Sequence, residues 1–264
     1  METTVQHEAE RARRLWPAPE RVSRREQGKR WPVVGVTLGL NVAALGLSWL
    51  ARGIRKPSAR MLRVGGPLLA LSSWAYALFI RSWHLRWGAT SAEVQQSMPG
   101  DELVPHPHLD TTRAITVEAR PEAIWPWLVQ MGYHRGGWYS YDWLDNLGAP
   151  SARNILPELQ NLQVGDRLTP IASGFVVAAV EPQRSLVLLT RDPRGRIRTS
   201  WTFLIEPIGP GRCRLIERLR CVYDFNLLGL LLFLAIEPAD FVMMRKQMLN
   251  LKRRAEVTLT GARA

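Results

Sequence analysis

Two apolar runs near the start of the chain constrain it more than any other feature. Residues 32–51, PVVGVTLGLNVAALGLSWLA, carry no charge, and Asn41 is their only strongly polar residue. Twenty helical residues span about 30 Å, the thickness of a bilayer core. Residues 64–80, VGGPLLALSSWAYALFI, form a second run at the lower edge of the spanning range. Trp31, Trp49, Trp83 and Trp87 lie near the ends, where interfacial aromatics belong. Gly35, Gly39, Ala43 and Gly46 would permit close helix contact. The first run is too long for a signal peptide and is followed by a second run instead of a cleavage site. The pattern predicts a two-helix transmembrane hairpin over residues 32–87, behind a basic tail at 1–31.

The charge supports this division. Of the formal net charge of +12, residues 1–63 supply +8 through 13 basic and 5 acidic residues. Residues 87–264 are nearly balanced, with 20 basic and 18 acidic. A nucleic-acid-binding domain would carry its basic excess on the folded part. Here the excess flanks the apolar runs, as contact with anionic headgroups requires. Nucleic acid is therefore not an expected partner, and the bilayer is. Basic residues at both ends of the hairpin together outnumber those in its loop. The termini and the following domain are thus expected on the cytoplasmic side of a bacterial inner membrane. Cys213 and Cys221 are too few for a disulfide framework, and free thiols suit a reducing compartment.

Residues 88–110 read as a juxtamembrane linker, since SMPGDELVPHPHLD at 97–110 holds three prolines and no helical period. His106 and His108 alone make no metal site. No metal or cofactor is expected. A folded domain follows over 111–257, with a short tail at 258–264. Residues 111–118 alternate as a strand. Pro121 and Glu122 open a helix that Pro126 bends, and 138–147 read as a second short helix. Strand-like runs follow at 166–171, 175–181, 186–191, 199–205 and 213–223, separated by turn residues. Residues 238–255 read as a long helix with Phe241, Met244, Met248, Leu251 and Ala255 in one stripe. Strands followed by a segregated helix predict an α+β domain.

The runs RAITVEARPEAIWPWLVQ (113–130), GGWYSYDW (136–143), 201–206 and 237–255 resemble the START-like, helix-grip superfamily, whose bacterial branch is called SRPBCC or polyketide cyclase/dehydrase-like. The resemblance covers about residues 110–256 and excludes the apolar runs. It implies a curved antiparallel sheet gripping the long helix, with a hydrophobic cavity between them. Lipid carriers, aromatic cyclases, plant ligand-binding proteins and co-chaperones belong to that superfamily.

No nucleophile elbow, phosphate loop or metal-protease motif occurs. Action through a cavity is what remains. Alternation puts Trp201 and Phe203 on one face, and Leu215, Glu217 and Leu219 on one face of the next strand. Arg212, Arg214, Arg218 and Arg220 take the opposite face and are expected to meet water. Glu217 would then point inward, where a carboxyl must pair or shift its pKa upward. The expected ligand-binding set is Tyr139, Tyr141, Trp201, Phe203, Leu215, Glu217, Leu219, Phe241, Met244 and Met248. Glu217 and Asp142 are the acid/base candidates. Trp138 and Trp143 read as core anchors. Residues 225–236, FNLLGLLLFLAI, are too short to span and read either as packing on their own domain or as a bilayer-docking segment. The leading expectation is a membrane-anchored domain binding a hydrophobic small molecule or lipid. A cyclase or dehydratase, or a ligand-free interaction module, is the alternative.

Overall fold

A computed structural model describes residues 41, 46, 48–50, 57–223 and 227–261. The predicted first span therefore lies almost wholly outside the described residues. Helix α1 (Pro57–Ala75) continues through a π turn (Tyr76–Ile80) into α2 (Arg81–Leu85). The predicted second span is thus helical throughout. Among the described residues, however, no helix is long and apolar enough to cross a membrane. Arg60, Arg63 and the internal Pro67 all fall within α1.

The domain is α+β. Strands β1 (Leu109–Val117), β2 (Val176–Glu181), β3 (Ser185–Arg191), β4 (Ile197–Gly209) and β5 (Arg212–Cys221) form one antiparallel sheet in the order β1-β5-β4-β3-β2. Between β1 and β2 lie α4 (Pro121–Val129) and the one-turn α5 (Asp142–Asp145), after the short α3 (Ser91–Gln95) has preceded β1. The chain ends in α6 (Leu227–Gly261). A five-stranded antiparallel sheet with a long C-terminal helix is consistent with a helix-grip fold.

Three expectations need correction. The run at 166–171 makes only an isolated bridge between Arg167 and Val176, not a strand. The helix expected over 138–147 shrinks to one turn at Asp142–Asp145, because Tyr139 adopts a left-handed φ of 60° that no helix tolerates. The long helix starts eleven residues before Pro238, so most of the apolar run at 225–236 is its first part. Proline breaks a helix by removing one hydrogen bond, but neighbouring turns continue through it.

One sheet face builds the main core. Leu215 and Leu219 of β5, Trp201, Phe203 and Ile205 of β4, and Leu186 and Leu188 of β3 meet Met244, Met248, Leu251 and Ala255 of α6. All four of these α6 residues are buried, as the apolar stripe predicts.

Most of the other face is covered and not open to water, and this is the largest departure from expectation. Residues 88–108, read as an extended tether, fold against it. Thr90 and Glu93 form a capping box that starts α3. Met98 is buried against Ala114, Leu204 and Ile216. Gly100 sits with φ of 90°, and a Cβ there would stand 2.7 Å from Val187 and 2.8 Å from Ser200 and Thr202. Only glycine lets the chain approach that closely with that backbone. Its carbonyl accepts from Ser200 Oγ at 2.8 Å.

The arginines hold this layer. Arg214 pairs with Glu93 at 2.7 Å, and Arg220 donates to the Asp101 carbonyl at 2.8 Å. Arg218 is 4% exposed and donates to Thr112, Asp101 and the carbonyls of Glu93, Val94 and Gln96. Arg212 alone of the four has an ion partner at the rim, Glu118, with both side chains about half exposed.

Candidate functional site

Strand alternation aims Arg113 of β1 and Glu217 of β5 at the same interior, and antiparallel register sets them directly opposite each other. Phe203 of β4 flanks Glu217 on the other side. Arg113 and Glu217 are both 0% exposed. Arg113 is anchored on three sides. Its Nε donates to the His84 carbonyl at 3.0 Å, and its Nη1 donates to Asp240 Oδ2 at 2.8 Å. Its guanidinium lies 5.4 Å from the Phe241 ring centroid. Its Nη2 has no hydrogen-bond partner among the described residues.

Glu217 is less provided for. Neither carboxylate oxygen has a hydrogen-bond partner among the described residues. Burial pushes its pKa well above the usual carboxylate range. Arg113 pulls it down by less, and Asp240 adds to the rise. Asp240 is also raised, again chiefly by burial and against the pull of Arg113. Two more buried polar atoms without partners lie in the adjacent row of the sheet: Thr111 Oγ1 and Trp201 Nε1, on either side of Leu219. An unmet buried polar group costs about 1–3 kcal/mol.

A second knot adjoins the first. Tyr76 Oη donates to Glu237 Oε1 at 2.9 Å, and Arg81 donates to Glu237 Oε2 at 2.9 and 3.2 Å. His84 Nε2 stands 3.5 Å from Glu237 and 2.8 Å from Tyr76 Oη. Burial alone would raise Glu237, but His84, Arg81 and Tyr76 outweigh it and hold its carboxyl low. The two buried glutamates thus shift in opposite directions because one is well partnered and the other is not.

The structure distributes the expected ligand residues unevenly. Trp201, Phe203, Leu215, Glu217, Leu219, Met244 and Met248 come together on the inner face. Phe241 sits at the edge of this set, between the Arg113 guanidinium and α2, within 5.2 Å of Trp83 and 5.5 Å of His84 by ring centroid. Tyr139 is buried under Arg254, with its hydroxyl accepting from Gln130 and burial pushing its pKa up to about 12. Tyr141 is half-buried and lies beneath Lys246, whose Nζ is 3.7 Å from the ring centroid. Asp142 accepts from Ser151 at 2.6 Å and Asn146 at 2.7 Å. Burial would raise Asp142, but these bonds outweigh it and keep the carboxylate ionised and engaged in holding its loop. Trp138 is a core residue, stacked on Trp201 at 5.6 Å, whereas Trp143, expected in the core, is 72% exposed. A surface pocket of about 250 Å³ lies beside Tyr133, His134 and Leu147, and no expected ligand residue lines it.

Arg113, His84, Glu237 and Asp240 were not singled out by sequence. Arg113 had a usable signal: it shares the inward alternation of Ile115 and Val117. Nothing local marks the other three, which α2 and α6 supply from opposite ends of the chain. No group of three or more metal-ligating side chains occurs among the described residues.

No family model matches the chain, and no curated protein matches it. Among solved structures it is similar to protein MLL2253 from Mesorhizobium loti, at 17% identity over 56% of this chain and 98% of that one, with a TM-score of 0.33. It is also similar to the Aha1 dimer from Colwellia psychrerythraea, at 15% identity over 55% and 98%, with a TM-score of 0.32. A protein from Arthrobacter aurescens matches at 13% identity over 56% and 86%, with a TM-score of 0.33.

Proposed function

We propose that the chain is a membrane-anchored domain of the START-like, SRPBCC kind that binds a hydrophobic small molecule or lipid between the sheet and α6. One observation carries this reading: Glu217 and Arg113 present unpartnered polar atoms inside an otherwise apolar interior. A ligand with an apolar body and one hydroxyl or carbonyl end suits that surface. Protonated Glu217 would donate to the ligand oxygen, and Arg113 Nη2 would supply a second donor. Met244 and Met248 pack in the same interior, and methionine repacks at low cost around a guest.

Anchoring draws support from the exposed apolar side chains of the N-terminal helices. Val64, Leu68, Leu71, Phe79 and Trp83 are each more than half exposed. A bilayer would cover them, and hydrophobic ligands partition there.

The test is to purify the full chain from cells in mild detergent and identify small molecules that accompany it. A reproducible hydrophobic compound, lost in Glu217→Leu, is the expected result. No compound in either protein would sink the reading. The enzyme alternative has one observation in its favour, the raised pKa of Glu217, which suits a general acid in a dry interior. It requires Glu217→Gln to bind the compound and leave it unchanged while the parent converts it.

A further inference from the structure

The helices that meet at Glu237 run the same way. Tyr76, Arg81 and His84 all reach Glu237. Four residues after Glu237, Phe241 stands 5.2 Å from Trp83 of α2 and 6.4 Å from Trp87 just beyond it by ring centroid, and Arg245, four residues later again, lies 5.1 Å from the Trp87 ring. Later residues of one helix meet later residues of the other, so α2 and α6 are locally parallel. Following both backward at about 1.5 Å per residue puts Leu227 about 15 Å before Glu237, level with the second half of α1. Residues 227–236, LLGLLLFLAI, carry no polar side chain, and every one lies in α6. On the α1 side of the same level, Leu68 and Leu71 are 59% and 68% exposed.

We infer that α6 begins inside the hydrocarbon core of a bilayer, with residues 227–236 beside α1, and that the Tyr76–Arg81–His84–Glu237 knot marks the membrane boundary. This rests on the membrane-anchored part of the proposed function. Ten helical residues reach about halfway through a bilayer core of about 30 Å. The segment enters and does not cross. Its end fits the boundary chemistry. Glu237 stops the apolar run, Arg81 answers its charge, and Trp83 is 56% exposed at the level where interfacial tryptophans belong. Arg113 then ties this boundary directly to the interior of the sheet, through His84 and Asp240. The anchor and the candidate binding site would share one set of side chains.

The wild-type full chain, reconstituted in phosphatidylcholine–phosphatidylglycerol vesicles with a diazirine on the lipid acyl chain, tests this without any substitution. Photolabelled peptides are mapped by mass spectrometry. Residues 227–236 and 64–80 should both be labelled, at roughly tenfold the level of 242–257, which would lie outside the hydrocarbon. Label at 64–80 with 227–236 at the level of 242–257 overturns the inference and leaves the anchor intact. Label at 227–236 without 64–80 overturns the side-by-side arrangement. No acyl-chain label in 32–51, 64–80 or 227–236 overturns the anchor itself.

Discussion

Glu217 and Arg218 are neighbours on β5, both buried, and they face opposite sides of the same sheet. Arg218 makes five hydrogen bonds, two of them to the short helix that covers it. Glu217 makes none among the described residues. Charge burial is equally costly on either side. On the outer face the chain folded a layer, residues 88–108, that meets that cost with carbonyls and carboxylates. On the inner face it left a carboxyl and one guanidinium nitrogen without partners among the described residues. A fully satisfied buried charge reads as structural. An unsatisfied one, facing apolar neighbours that can move, reads as a place for something else.

This contrast can be broken at several points. The largest effect should come from Arg218→Ala, which removes an ion-pair partner of Asp101 and the side-chain donor to three carbonyls, and should cost about 3 kcal/mol. Urea denaturation would measure it, and limited proteolysis should show 88–108 cut first. Stability unchanged within error would mean that Met98 and Gly100 alone hold the layer.

Glu217→Gln should act in the opposite sense. The folded pKa of Glu217 lies above its ordinary value of 4.5, so the folded state keeps a proton that the unfolded chain releases. Stability then falls as pH rises from that value toward the folded pKa. At pH 8 the amide should stabilise the ligand-free protein by about 1–3 kcal/mol, because it is buried neutral without taking up a proton on folding. Asp240 contributes a slope of the same sign, so the variant should flatten the pH profile without levelling it. A destabilised amide at pH 8 would show that Glu217 is ionised and structurally paired with Arg113.

The outer face should titrate the other way. Hydrogen bonds from Arg214 and Thr90 outweigh the burial of Glu93 and lower its pKa. Its contribution is present above the ordinary value of 4.5 and fades as pH falls through the lower folded value. Glu93→Gln should therefore cost about 1.5 kcal/mol at pH 7 and progressively less in acid. Thermal melts of both proteins across pH 2–7 check this. A constant difference across that range would remove the ion pair from the account. The smallest effect belongs to Thr90→Ala, which loses the helix cap at about 1 kcal/mol. Melts of that variant should shift without any change in the slope assigned to Glu217.

Much of this was open to a reader of the sequence. Alternation put Trp201, Phe203, Leu215 and Glu217 on one face, and the three-and-four spacing put Met244, Met248, Leu251 and Ala255 on another. Such periods follow from backbone geometry and need no partner to be read. Arg212 does meet water, but the cover over Arg214, Arg218 and Arg220 escapes the pattern, because alternation says which residues share a face, not what covers it. Three prolines in 97–110 looked like a linker, since nothing in their order reveals that Gly100 can touch the sheet. The buried knot was equally hidden: Tyr76, Arg113, Glu217 and Glu237 span more than half the chain and have no fixed spacing.

By itself the sequence determined the α+β order of elements, the inward set of the sheet and the stripe of the long helix. These are local patterns, set within a few residues by pleat and helical turn. Only the tertiary structure decided which buried charges are answered. That depends on segments brought together across a hundred residues or more, where a carboxyl such as Glu217 is made unusual by the groups that do not reach it.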